Sequence, residues 1–237
     1  MPAARLEVER LSAGYGPTQI VSEMSFEVPA GGRLAILGRN GVGKTTLLAT
    51  LMGLSTRHHG RILADGNDIS SLRTSARALR GMGYVPQTRD IFSSLTVEEN
   101  LSTGFKTRDR DGLDGIYQMF PRLAERRRHL GLQLSGGEQQ MLSMARTLLG
   151  KPSILLLDEP LEGLAPVICD QLMETISRLA ISGDMTIILV EQQIERALNF
   201  ADRVMVVERG RAVWEGASEE LKSDRALVNR LLGVGIH

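Results

Sequence analysis

The chain contains little of what secreted, membrane-spanning or nucleic-acid-binding proteins depend on. Its one cysteine, Cys169, cannot form an internal disulfide, which excludes a secreted disulfide framework. No apolar stretch approaches the ~18 residues that a membrane-spanning helix needs, and no signal-peptide core follows the N-terminus. Because 28 basic residues balance 28 acidic ones, the broad basic field of nucleic-acid-binding proteins is also missing. We therefore expect a soluble protein of the cytosol that chooses its partners through local sites and binds no nucleic acid.

The composition does supply enough apolar material for a real core. Hydrophobic residues make up 42% of the 237 residues and charged residues 24%, which is ordinary globular usage. A chain of this size hides roughly 70% of its unfolded surface. The length therefore favours one large domain, or a core with an inserted lobe, over disorder or a coiled coil.

The pattern of apolar residues predicts a mixed α/β architecture. The first 30 residues alternate apolar and polar side chains around a glycine turn, which is typical of two antiparallel strands. Short continuous apolar runs at Arg33–Leu37, Ile154–Leu157 and Thr186–Val190 indicate strands buried on both faces. Helix-like segments between these runs imply right-handed crossovers and a parallel sheet.

A segment of different character interrupts this pattern. Residues 88 to 150 contain few strand-like runs and end in a predicted helix from about Gly137 to Leu149. We interpret the segment as a mostly helical lobe set into the α/β core. The C-terminal part adds a predicted hairpin around Arg209-Gly210 and a helical tail from Glu219 to Leu232.

The strongest motif is a glycine-rich loop between a predicted buried strand and a predicted helix. Residues 38–45 match the phosphate-binding pattern G-x-x-x-x-G-K-[ST]. Glycines let backbone N–H groups turn toward phosphate oxygens, and the following helix points its positive end at the same anion. Lys44 would supply a point charge to the β- and γ-phosphates, and the Thr45 hydroxyl is a hard ligand for Mg²⁺.

An acidic pair follows a second buried strand. Asp158 falls at the carboxyl end of the Ile154–Leu157 run, where α/β sheets bind ligands, and it can hold Mg²⁺ through water. Glu159 can polarise a water for attack on the γ-phosphate. Solvated acids at a strand end are common, but together with the phosphate loop this pair predicts phosphoanhydride hydrolysis.

A third segment, Leu134-Ser135-Gly136-Gly137-Glu138, precedes the last helix of the lobe. Ser135 can cap that helix, and the two glycines leave its first N–H groups accessible. Alone this pattern is typical of an ordinary helix cap. In combination, the three motifs resemble the ATP-binding cassette family of transport ATPases, and the resemblance covers nearly the whole chain.

That resemblance implies a fold and a domain division. The implied fold is a P-loop NTPase (RecA-like) α/β core with an antiparallel β subdomain and an inserted α-helical subdomain. Residues 1–237 then form a single ATPase domain, with 1–87 and 151–237 as the core and about 88–150 as the helical subdomain. In the family, two cassettes enclose two ATP molecules, each between one phosphate loop and the partner's Ser-Gly-Gly segment.

The resemblance also implies individual roles. Tyr15 would stack on adenine; the alternative is an ordinary strand tyrosine. Gln87 would touch both Mg²⁺ and the attacking water; the alternative is a solvated loop glutamine. The implied catalytic residues are Glu159, Gln192 and Gln87, and the implied Mg²⁺ ligands are Thr45, Gln87 and Asp158. The implied ATP-binding residues are Tyr15, Gly38, Arg39, Asn40, Gly41, Val42, Gly43, Lys44, Thr45, Thr46, Ser135, Gly136, Gly137 and Glu138.

Two positions depart from the family pattern. Ala165 stands where the loop after the catalytic acid usually has Asp, and Gln192 stands in place of the family's switch histidine. None of His58, His59, His129 or His237 fits the switch position, so we interpret them as surface residues without a function. Gln192 can donate a neutral hydrogen bond to a phosphate but cannot titrate.

These departures, with the segments Thr96–Leu101 and Phe120–Leu123, resemble the second ATPase subunit of branched-chain (hydrophobic) amino-acid importers. The implied partners are a sister ATPase or a second copy, two transmembrane permeases and, indirectly, a periplasmic solute-binding protein. The implied location is the cytoplasmic face of the inner membrane, through the permeases.

Three alternatives stay open from the sequence. Gln87 and the segment Arg89–Phe92 are also similar to urea and short-amide importers. A soluble cassette ATPase acting on DNA or ribosomes would usually carry paired cassettes, zinc cysteines or a basic patch. A regulatory module with little turnover would lack a catalytic acid, whereas Glu159 is present.

Overall fold

The computed structural model describes residues 2–106 and 112–233 of the chain. Its strands are β1 (Leu6–Tyr15), β2 (Thr18–Val28), β3 (Arg33–Leu37), β4 (Thr56–Ala64), β5 (Asn67–Asp68), β6 (Met82–Val85), β7 (Ile154–Asp158), β8 (Thr186–Val190), β9 (Arg203–Glu208) and β10 (Arg211–Ala217). Its helices are α1 (Lys44–Met52), α2 (Thr74–Leu79), α3 (Val97–Ser102), α4 (Leu113–Met119), α5 (Pro121–Glu125), α6 (Gly136–Leu149), α7 (Pro166–Ile181), α8 (Ile194–Phe200), α9 (Ser218–Ser223) and α10 (Arg225–Leu232). None of the helices in these two stretches combines the length and the hydropathy of a membrane span.

The N-terminal strands form a small antiparallel sheet in the order β2-β1-β4-β5. Leu6 pairs with Val28, and Val8 pairs with Phe26, and all four side chains are buried. The alternation of apolar and polar residues therefore predicted this sheet correctly. Strand β4 begins five residues before the predicted Arg61, because its polar first half pairs with β1 instead of facing the core.

The second sheet has six strands in the order β10-β9-β3-β8-β7-β6. Its neighbours pair in parallel, except that β10 returns antiparallel to β9 as the predicted hairpin. Every residue of β7 and β8 is buried, as expected of strands covered by helices on both faces. The carboxyl ends of β3, β7 and β8 therefore meet at one edge of the sheet.

Between residues 97 and 149, every described element is a helix, which agrees with the predicted helical lobe. A single antiparallel bridge joins Thr96 to Leu130 at its base. The face of α6 made by Met141, Leu142, Ala145, Leu148 and Leu149 is buried, as its spacing predicted. The C-terminal tail is two helices and not one, because the Asp224 carboxylate accepts from the Leu227 N–H at 2.8 Å and caps α10.

The structure corrects one interpretation of the histidines. His58 is half-buried on β4, and its Nε2 has no hydrogen-bond partner among the described residues. His59 is exposed, and His129 contacts the Arg126 guanidinium at 3.2 Å. His237 lies outside the described residues.

Candidate active site

The glycine-rich loop follows β3 and leads into α1, as the motif requires. Gly38 has φ 153°, and a Cβ there would lie 2.4 Å from the Val207 carbonyl oxygen. Gly43, the residue before α1, has φ 106°, and no side chain caps this helix. The positive φ angle explains glycine at both positions, and at Gly38 the close approach to β9 is a second reason. The first N–H groups of α1 thus remain available for an anion.

Lys44 is buried, with 4% of its surface exposed. Its ammonium donates to the carbonyl oxygens of Gly38 at 2.8 Å and Arg39 at 3.1 Å. It also lies 3.3 Å from Glu159 Oε1. The carbonyl oxygens of the loop and the Glu159 carboxylate hold the ammonium at the glycine-rich loop, so a phosphate bound there would compete with Glu159 for this cation.

Asp158 ends β7 and is fully buried. The Thr45 hydroxyl donates to its Oδ1 at 3.2 Å, and the Tyr84 hydroxyl donates to its Oδ2 at 3.1 Å. Burial raises the pKa of the Asp158 carboxyl, while the hydrogen bonds from Tyr84 and Thr45 oppose that shift. Burial likewise raises the pKa of the Tyr84 phenol, so this hydroxyl stays a donor.

Glu159 adopts a left-handed backbone conformation with φ 46°, which is uncommon for a residue other than glycine. Its N–H donates to the Val190 carbonyl of β8 at 3.0 Å, and this bond holds the turn. Its carboxylate accepts hydrogen bonds from the side-chain amides of Gln192 at 2.6 Å and Gln87 at 3.2 Å. The strained turn therefore aims the carboxylate into the cleft, where two amides and Lys44 converge on it.

Gln87 reaches this cleft from the loop after β6. Besides Glu159, its side-chain amide donates to Glu162, which lies in the loop before α7. The resemblance implied contacts to a metal and a water, and the structure brings Gln87 to the acid that would polarise such a water. Gln87 lies in the segment that leads from β6 of the core into the helical lobe, and α3 begins ten residues after it.

The residues around Asp158 suit Mg²⁺ by their chemistry. Thr45 and Asp158 present hard oxygen atoms 3.2 Å apart, and Mg²⁺ is commonly held by one or two carboxylates together with substrate phosphates. Across residues 2–106 and 112–233, no group of three or more His, Cys, Asp and Glu side chains forms a metal cage. A metal here would depend on the phosphates for the rest of its ligands.

Glu191 is a part of the site that the sequence interpretation missed. It is buried between β8 and α8, and its Oε1 accepts the backbone N–H groups of Gln192 at 2.8 Å and Gln193 at 3.0 Å. Its Oε2 has no hydrogen-bond partner among the described residues, and burial raises the pKa of this carboxyl. Glu191 thereby fixes the backbone from which Gln192 reaches Glu159.

The Ser-Gly-Gly segment forms the start of α6, as predicted. Ser135 is an N-cap whose hydroxyl accepts the Glu138 N–H at 3.3 Å, and Glu138 Oε2 accepts the Ser135 N–H at 2.8 Å. Glu138 therefore closes a capping box. A Cβ at Gly136 would lie 2.9 Å from the Arg89 guanidinium, so glycine leaves room for that cation.

The structure brings together only part of the predicted set. One cleft is lined by Ile20, Asn40, Gly41, Gly43, Lys44, Thr45, Thr46, Gln87 and Glu159. Tyr15 and residues 135–138 do not line this cleft. Tyr15 is 50% exposed at the end of β1, beside the Gly16 turn, and Ser135 is exposed at the start of α6. Both face solvent, where a second chain or a nucleotide would have to cover them.

Comparisons with known proteins agree with this architecture. The ABC transporter family matches residues 21–162. BraG of Pseudomonas aeruginosa, a high-affinity branched-chain amino acid transport ATP-binding protein, is 40% identical over 96% of this chain and 99% of its own length. LivF of Archaeoglobus fulgidus, a probable branched-chain amino acid transport ATP-binding protein, is 35% identical over 97% of this chain and 99% of its own length.

More distant similarities extend the pattern. The lipopolysaccharide export ATP-binding protein LptB of Haemophilus influenzae is 33% identical over 96% of this chain and 97% of its own length. A crystal structure of a nucleotide-free ATP-binding cassette from an ABC transporter superposes with a TM-score of 0.82 at 21% identity, covering 98% of this chain and 99% of that one. At that identity the superposition demonstrates the fold alone.

Proposed function

Because this chain belongs to the ABC transporter family of ATP-binding proteins, we propose that it powers a solute importer by hydrolysing ATP, and that branched-chain amino acids are the solutes. The observation that carries the catalytic part is the convergence of Lys44, Gln87 and Gln192 on the Glu159 carboxylate. The solute class rests on the 40% identity to BraG along nearly the whole chain.

We propose the following division of labour at the phosphates. The N–H groups of the glycine-rich loop and the start of α1 bind the β- and γ-phosphates, and Lys44 adds charge-assisted hydrogen bonds. Bound Mg²⁺ would neutralise phosphate charge, held by Thr45 and Asp158 with Gln87 nearby. Glu159 accepts a proton from the attacking water, and Gln192 donates to the γ-phosphate once nucleotide displaces it from Glu159.

The segment 135–138 serves a different nucleotide in this proposal. Since Ser135 is exposed and lies apart from the cleft, it is suited to ATP held by the glycine-rich loop of a partner cassette. The adenine of each nucleotide would stack on the exposed ring of Tyr15. A sister ATPase or a second copy of this chain completes the two sites.

Two permease subunits and a solute-binding protein are the further partners that we propose, and they would place this chain at the cytoplasmic face of the membrane. Permease docking would involve the segment from Gln87 to Asn100, which includes the start of α3 and lies between the core and the helical lobe. Glu98 is exposed there, whereas Glu99 accepts from the Thr96 N–H and hydroxyl in a capping box. Glu98→Lys is therefore the cleaner probe of docking, because Glu99→Lys would also damage α3.

The experiment for this proposal reconstitutes the chain with its permeases and sister ATPase in vesicles. We expect ATP-dependent uptake of leucine, little uptake of urea, and loss of uptake in Glu159→Gln. In Glu98→Lys we expect transport to fall while the affinity for ATP stays unchanged. Uptake of urea but not leucine would reassign the solute, and equal loss of transport and ATP affinity in Glu98→Lys would contradict the docking assignment.

A further inference from the structure

Tyr84 donates a hydrogen bond to Asp158 from outside the three sequence motifs. It lies on β6, which pairs in parallel with β7, and its register partner is Leu156. Its hydroxyl donates to Asp158 Oδ2 at 3.1 Å although the two residues are 74 positions apart. Sheet order therefore creates this contact.

The two oxygens of Asp158 are held by two different elements. Thr45 Oγ1, from α1, donates to Oδ1, while Tyr84, from β6, donates to Oδ2. The carboxylate is fully buried, so its orientation depends on these donors and not on solvent. The terminal torsion of an Asp side chain is soft. A single donor would leave the carboxylate free to rotate, whereas two donors on opposite oxygens fix its orientation.

The remainder of Tyr84 is anchored without its hydroxyl. Its carbonyl oxygen accepts from the Thr147 hydroxyl of α6 at 3.3 Å, and its ring packs against the apolar cluster beneath α1. Removal of the phenolic oxygen alone should therefore leave β6 and the ring in place. The hydroxyl can be tested separately from the packing.

We propose that Tyr84 is a positioning residue for the magnesium site: its hydroxyl fixes Oδ2 of Asp158 so that Oδ1 keeps its direction toward Thr45. This inference rests on the proposed function, in which Thr45 and Asp158 hold the metal that accompanies ATP. Because Mg²⁺ demands near-ideal octahedral geometry and Ca²⁺ accepts irregular sites, a freely rotating Asp158 should weaken Mg²⁺ more than Ca²⁺.

The test is Tyr84→Phe in the full chain, with ATP binding measured by calorimetry in EDTA and across titrations of Mg²⁺ and of Ca²⁺. We expect the half-saturating Mg²⁺ concentration to rise about tenfold, the lower end of the effect of losing one hydrogen bond to a charged group. The Kd for ATP in EDTA should stay unchanged, and the Ca²⁺ requirement should shift less than the Mg²⁺ requirement.

Tyr117→Phe is the matched control. It removes a buried phenolic oxygen that has no hydrogen-bond partner among the described residues, so all three titrations should match those of the wild type. An Mg²⁺ requirement in Tyr84→Phe equal to that of the wild type would overturn the inference. An equal loss of ATP affinity in EDTA would overturn it too, because the effect would then be general damage to the phosphate loop.

Asp158→Asn separates this inference from the proposal on which it rests. If this variant raises the Mg²⁺ requirement and Tyr84→Phe does not, the metal site stands and only the role of Tyr84 fails. If Asp158→Asn leaves the Mg²⁺ requirement unchanged, Asp158 does not hold the metal, and both assignments fail together.

Discussion

The two helix N-termini that the sequence assigns to phosphate, those of α1 and α6, are built in opposite ways. The start of α1 carries no side-chain cap and has the buried Lys44 ammonium beside it. The start of α6 is closed by a capping box, in which the Glu138 carboxylate accepts the Ser135 N–H and the Ser135 hydroxyl accepts the Glu138 N–H. An anion therefore finds open donors and a cation at α1, but a partly satisfied end at α6.

This difference fits the proposal that the two ends serve different nucleotides. The α1 end can bind a phosphate within one chain, because loop, cation and acid lie in a single cleft. The α6 end is exposed and partly satisfied by its capping box, which suits a surface that meets ATP only when a partner chain presents it. The substitutions below test this contrast, beginning with the largest expected effect.

The acid of the α1 cleft should control turnover without controlling binding. In Glu159→Gln we expect ATP hydrolysis to fall by about 100-fold or more, because the amide cannot act as a general base. ATP affinity should stay near that of the wild type, and an ATP-bound dimer should accumulate in size-exclusion chromatography with ATP. Hydrolysis at close to the native rate would show that Glu159 is not the catalytic base.

The cation of the α1 cleft should control binding itself. Lys44→Ala removes a charge directed at phosphate, and we expect the Kd for ATP to rise about tenfold or more in equilibrium binding. Glu159→Gln provides the comparison, since it alters the same ion pair from the other side. If Lys44→Ala lowered only turnover, the contrast between the two ends would lose its basis.

The switch glutamine should act through a neutral hydrogen bond. We expect Gln192→Ala to lose about tenfold in turnover in the assembled transporter, by the loss of one bond to a charged oxygen. Gln192→His should stay active and gain a pH step near ~6.5, the ordinary histidine pKa. Rate profiles from pH 5.5 to 8 test this, and unchanged turnover in Gln192→Ala would leave Gln192 as a polar residue that merely ends a strand.

The α6 end should matter only in the dimer. Ser135→Ala should leave the ATP affinity of the isolated chain unchanged, lower turnover of the assembled complex, and cost about 1 kcal/mol in the free energy of unfolding. Asp224→Ala is the control for the loss of a cap alone, because Asp224 caps α10 outside the proposed docking segment. Equal turnover in the two variants would mean that Ser135 is only a cap.

The smallest effect concerns the buried Glu191. Burial raises its pKa above the ordinary 4.5, so the folded chain holds this proton to higher pH than the unfolded chain. Ionisation then costs folding free energy, and the wild type should lose stability relative to Glu191→Gln as the pH rises above about 4.5. Thermal melts of both proteins from pH 4 to 8 measure this difference, and parallel curves would contradict it.

Much of the candidate site could be predicted because each of its motifs is short and contiguous in the sequence. The glycine-rich loop, the strand that ends at Asp158 and the cap at Ser135 each follow from local backbone chemistry. The full length of β4 and the break at Asp224 escaped prediction, since pairing with β1 and a cap on α10 decided them.

The sequence by itself determined which chemical groups the chain carries. They are a glycine-rich loop, an acidic pair at a strand end and a helix capped by Ser135, and short-range spacing specifies all three. Only the tertiary structure decided which groups meet. The order β8-β7-β6 brings Gln192 and Tyr84 to the acidic pair from opposite sides. It does so because parallel strands align their carboxyl ends whatever the length of chain between them, and no spacing rule contains that neighbour relation.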